Sequence, residues 1–109
     1  MAKQIRLTYE GKDYTLEFTR RTVKQMERNG FVLDEMGNKP NILLPMLFAG
    51  AFQANHRNVK AEIPEAIFEK IADKEKLIST LVDMYVEPMN TLMEEPEDDK
   101  GKVEWTATE

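Results

Sequence analysis

A chain of 109 residues has room for one domain of modest core. Its 41% hydrophobic and 32% charged residues are the balance of a globular domain with a charged exterior. Twenty acidic against 15 basic residues, a net charge of −5, argue against a dedicated nucleic-acid binder, and the absence of cysteine excludes disulfides and thiolate metal sites. The N-terminus lacks the apolar stretch of a signal peptide. The most apolar run, 42–52, is broken by Pro45 and Gly50 and falls short of the roughly 20 residues of a bilayer span. The expected location is the cytoplasm.

In chain order, Ile5, Leu7 and Tyr9 alternate with polar residues, as do Tyr14, Leu16 and Phe18. With Glu10-Gly11-Lys12 between them, residues 3–18 read as a β-hairpin, Gly11 taking the positive φ. A lone hairpin is marginal in water, so its apolar face must lie on helices. Thr19 suits the N-cap of a first helix over 20–28, with Phe18 and Val23 placed as a hydrophobic staple. Asn29-Gly30 ends it, and Phe31 can fold back onto Met26. Residues 32–39 read as a connecting loop. A second helix over 40–55 is apolar on nearly every side, with Pro45 near its first turn and small residues at 49, 50, 51 and 54 that let a neighbour approach. Pro64 opens a third helix to about residue 72. Asp73 caps a fourth over 74–93, where Pro88 should produce a kink. The expected fold class is therefore α+β, mainly α: an N-terminal β-hairpin packed on about four helices, forming one domain over 1–93. Residues 94–99 are almost wholly acidic, and residues 94–109 read as a disordered acidic tail ending in a short Trp-containing motif.

Residues able to carry chemistry are few. His56 is the only histidine and Ser79 the only serine, and no nucleophile-elbow glycines surround that serine. The acidic run lacks the spacing of a calcium loop, and the glycines are too scattered to cradle phosphate. The expectation is a non-enzymatic protein with no catalytic residues, no metal and no cofactor, working by binding another protein. Candidate partner-binding residues are Leu43, Leu47, Phe48 and Phe52 on the apolar helix, which is core first and groove second, and Val103 and Trp105 in the tail. Trp is a favoured interface anchor. Residues 102–106 fit equally a tethered motif or a third strand on the hairpin. Arg20, Arg21, Lys24 and Arg28 form an exposed basic arc that suits an anion, the chain's own acidic tail included, although charged helix faces are ordinary.

Three stretches carry a resemblance. They are Phe-Thr-Arg-Arg-Thr-Val-Lys-Gln-Met-Glu-Arg-Asn-Gly-Phe at 18–31, Leu-Pro-Met-Leu-Phe-Ala-Gly-Ala-Phe-Gln-Ala-Asn-His-Arg at 44–57, and Leu-Val-Asp-Met-Tyr-Val-Glu-Pro-Met-Asn-Thr-Leu-Met at 81–93. With the acidic tail ending near Val103-Glu104-Trp105, they resemble the small, short-form tail assembly chaperones of long-tailed bacteriophages and prophages. The resemblance implies a chaperone that binds the tape measure protein, keeps it soluble in the cytoplasm of a bacterial host, and hands it over as tail tube protein polymerises around it. It also implies absence from the mature virion. Two other roles fit the residues: a small regulator touching nucleic acid through the basic arc, or a minor tail or connector protein kept in the particle. The hairpin's free edges add an expectation of self-association into a homo-oligomer.

Overall fold

A computed structural model of the chain describes residues 4–92 and 103–107. Strands β1 (Ile5–Tyr9) and β2 (Lys12–Leu16) form an antiparallel hairpin, followed by helices α1 (Arg20–Arg28), α2 (Pro40–Gly50), α3 (Glu62–Lys70) and α4 (Lys74–Thr91). The architecture is the expected one, mainly helical with the hairpin at its N-terminus. The expected acidic linker over 94–99 lies outside the described residues.

The turn is tighter than the sequence suggests. Tyr9 pairs with Lys12, leaving a two-residue loop in which Glu10 (φ 50°) and Gly11 (φ 80°) both take left-handed backbone. Two successive positive φ values match the right-handed twist of the strands they join. Pairing Ile5 with Leu16 and Leu7 with Tyr14 puts one apolar row against the helices.

Helix α1 begins and ends where its punctuation places it. The Thr19 hydroxyl accepts from the Thr22 N–H at 3.2 Å, and the Thr22 hydroxyl accepts from the Thr19 N–H at 2.8 Å, a capping box with threonine in both roles. At the other end Gly30 (φ 97°) lets Phe31 N–H reach the Met26 carbonyl at 3.0 Å and Gly30 N–H reach that of Glu27 at 3.1 Å, closing a Schellman motif. The stretch expected as a plain connecting loop contains a short 3-10 turn, Leu33–Glu35.

Helix α2 stops five residues short of the expected 40–55. Beyond Gly50 the bonding tightens to i−3, with Phe52 N–H on Ala49 and Gln53 N–H on Gly50, and residues 51–55 run as turns. Packing onto the hairpin accounts for the change, because the Ala51 carbonyl accepts instead from Glu17 N–H at 3.0 Å. Helix α3 starts two residues before the expected Pro64, since a proline in the first turn lacks only an N–H that has no partner there. It ends at Lys70, with Ile71 extended. Asp73 caps α4 through the Lys76 N–H, and α4 continues past Pro88 to Thr91.

The core gathers Leu16 and Phe18 from the hairpin and its exit, Val23, Met26 and Phe31 from α1 and its stop, Leu47, Phe48 and Phe52 from α2 and its extension, and Leu81 and Tyr85 from α4. Tyr85 sits at its centre, 2% exposed, with Phe18 and Phe31 edge-on to its ring at 5.3 and 5.0 Å. Burial, and secondarily the Glu27 carboxylate, push the Tyr85 phenol up to about 12 from its ordinary 10. The folded phenol then keeps its proton where the unfolded one loses it. Its contribution to stability is complete below pH 10 and is lost as pH rises through 12. Urea midpoints measured from pH 8 to 12 are expected to fall less steeply above pH 10 for Tyr85→Phe than for the wild type.

Candidate partner-binding groove and C-terminal anchor

At 100° per residue, Arg20, Lys24, Arg28 and Arg21 follow one another around about a quarter of α1. All four are exposed. Arg21 stands at the edge of this arc, and Gln25 and Asn29 come next around the helix. These three form one wall of a groove of about 740 Å³ between α1 and the end of α2. The opposite wall is Gln53 and Arg57, and the floor is Met26, Met46, Ala49, Gly50 and Ala54.

Small residues bring the helices together here. A Cβ at Gly50 would stand 2.6 Å from Met26 Cε, so α1 is the close neighbour that the small residues of α2 admit. The result is a methionine-and-alanine floor between two arginines and three amides. Flexible thioethers adapt to irregular apolar surfaces, and a groove of this kind takes the apolar face of a helix while its polar rim meets the flanking residues. Thr19 and Thr22 also line it, but both hydroxyls are engaged in the capping box. The lining holds no carboxylate, histidine, lysine or cysteine. Arginine stays protonated, so the groove has no group able to give and take a proton near neutral pH.

The apolar candidates on α2 take the first of their two readings, core, and not the second, a binding face. Leu43, Leu47, Phe48 and Phe52 are buried in the chain's own core, so they shape the domain and are not on its surface. The apolar side chains that α2 leaves at the surface include Ile42, which is exposed, and the half-buried Leu44, Met46 and Ala49, the last two in the groove. Val103 and Trp105, by contrast, are 86% and 81% exposed. Among the described residues the sheet has two strands, and residues 103–107 do not form the third strand that was one of the two expectations for this segment.

His56 has a structural place. Its Nε2 accepts the Thr15 N–H of β2 at 3.0 Å, and its ring packs edge-on against Tyr14 at 5.0 Å. Next to it Asn55 Nδ2 donates to the Thr15 carbonyl at 3.2 Å and to Glu17 Oε1 at 2.9 Å. Residues 51–56 thus clamp the outer edge of β2. Ser79 is exposed on α4. Among the described residues no three Asp, Glu or His groups converge as metal ligands, and no helix is long and apolar enough to cross a membrane.

Sequence reasoning found Arg21 and missed Arg57, which faces it across the groove. It also missed Gln25 and Gln53. The usable signal was the pair Ala49-Gly50 opposite Met26, but which helix would fill that approach was not encoded locally.

A two-stranded hairpin and four helices define a small, mainly helical α+β fold, with a polar-rimmed, methionine-floored groove between α1 and the end of α2. The chain belongs to the family described as Domain of unknown function (DUF5055), whose model matches residues 1–108. No curated protein and no solved structure matches it.

Proposed function

We propose that this protein is a non-enzymatic tail assembly chaperone of long-tailed phages and prophages. It binds the tape measure protein in the host cytoplasm, keeps it soluble, and releases it to tail tube protein, staying out of the finished particle. The observation that carries the proposal is the groove between α1 and α2. It has an adaptable apolar floor and a cationic, amide-rich rim, and no side chain in it can transfer a proton. A long helical client with apolar stripes and acidic flanks fits such a groove. Exposed Trp105 supplies a second anchor. The resemblance of residues 18–31, 44–57 and 81–93 to this chaperone group points the same way.

Co-expression decides it. With its cognate tape measure protein the chain should yield a soluble complex, while the tape measure alone aggregates. Insolubility of both together, or recovery of the chain from purified virions in stoichiometric amount, would refute the chaperone role and favour a structural tail protein. The basic arc of α1 supports a nucleic-acid regulator as the second reading. A salt-dependent mobility shift with duplex DNA, absent when Arg20, Lys24 and Arg28 are changed to Glu, would establish that one instead.

A further inference from the structure

The two edges of the hairpin are not equivalent. Thr15 N–H donates to His56 Nε2, Glu17 N–H to the Ala51 carbonyl, and the Thr15 carbonyl accepts from Asn55, so the outer edge of β2 is occupied. In an antiparallel ladder successive residues alternate between facing the partner strand and facing away. Because Thr15 faces away, Tyr14 and Leu16 face β1, and their partners Leu7 and Ile5 face β2. The backbone groups of Arg6 and Thr8 therefore point off the open edge of β1, and among the described residues nothing bonds them. An edge strand with free donors and acceptors is a template for one more strand.

The face of that edge is incomplete as well. Ile5, Leu7 and Tyr9 pack against the core but stay half-buried, unlike Tyr14 and Leu16 beside them. Elsewhere in the same chain Val103 and Trp105, two residues apart, lie exposed, and among the described residues no strand pairs with them. A strand places residues two apart on one face. Laid along β1, residues 103–107 would set Val103 and Trp105 beside Ile5, Leu7 and Tyr9. Glu104 would then fall on the solvent face next to Arg6, an opposite-charge cross-strand pair.

We infer that the open edge of β1 receives residues 103–107 of a second copy of this chain as a third strand, joining copies through the sheet. The second copy is favoured because the chain's own segment stands off its two-stranded sheet. Hydrogen bonds from Arg6 and Thr8 supply the pairing, the Val103 and Trp105 side chains complete the half-buried row, and Glu104 against Arg6 fixes the register. This association does not use the α1–α2 groove, but it draws on the same Trp105 that the proposed function offers to the client, so the two contacts compete for that side chain.

The chain has no cysteine, so paired single-cysteine variants report the contact without background. Cross-strand neighbours lie about 4.5–5.5 Å apart between Cα atoms, within disulfide reach. Full-length Arg6→Cys and Glu104→Cys chains, mixed at tens of micromolar and oxidised, should form the mixed disulfide dimer at least about tenfold above either variant alone. Adding Trp105→Ala to the Glu104→Cys chain should suppress it about tenfold, since the anchor is gone while the fold, which leaves Trp105 exposed, is untouched. Sedimentation of the unmodified chain should show mass rising with concentration, and the Trp105→Ala chain should stay monomeric. A double Arg6→Cys/Glu104→Cys chain that closes its disulfide as a monomer would overturn the proposal in favour of intramolecular docking. Absence of the mixed disulfide, or its appearance only when a different protein is added, would overturn it outright.

Discussion

Replacing Phe52 by alanine is expected to lower the free energy of unfolding by about 3–5 kcal/mol. Phe52 has no exposed surface, and its ring meets Tyr14 edge-on at 5.5 Å and Phe48 at 5.2 Å. It joins the hairpin to α2 at the point where the helix has tightened and the Ala51 carbonyl has turned to Glu17, just past β2. Deleting it leaves a cavity at the seam where residues 51–56 meet the hairpin. A domain of this size has roughly 5–15 kcal/mol of total stability, so the variant should sit near its unfolding threshold. Urea denaturation should show a midpoint lowered severalfold more than that of Ile42→Ala, an exposed site on the same helix where the change should stay within about 0.5 kcal/mol. A Phe52 variant as stable as the Ile42 variant would mean that residues 51–56 are not the clamp the geometry describes.

The same segment shows where sequence reasoning succeeds and where it stops. Helix α1 was readable to the residue because its signals are local: a threonine cap, a glycine stop and an aromatic residue that folds back one turn. The hairpin was readable because period-two alternation flanks a glycine. The end of α2 was not readable. Residues 51–55 have the composition to continue a helix, and what stops them is a set of bonds to Thr15 and Glu17 some forty positions earlier. Composition alone could not tell whether Leu43, Leu47, Phe48 and Phe52 pack inward or form a groove, because an apolar helix looks alike in both cases. The groove itself depends on α1 and α2 lying side by side, so Arg21 and Arg57 become a pair only in three dimensions.

Trp105→Ala should separate binding from folding more cleanly than any core change. The indole is 81% exposed, and the described residues around it, 103–107, form neither helix nor strand. Removing it should leave the melting temperature of the free protein within about a degree, in contrast to the collapse expected for Phe52→Ala. Binding to the client is where the loss should appear, because tryptophan is one of the residue types enriched at interface hot spots, where a partner encloses it. Truncating such an anchor costs roughly 2 kcal/mol, which is about a 30-fold weaker dissociation constant. As the chain's only tryptophan, it also reports its own surroundings. Emission from the free, dilute protein should be that of a solvent-exposed indole and should shift to the blue as the tape measure protein is titrated in. A client affinity unchanged by the substitution, measured with the groove intact, would confine recognition to the α1–α2 groove. In that case Arg21→Glu and Arg57→Glu together should abolish the binding that Trp105→Ala spares.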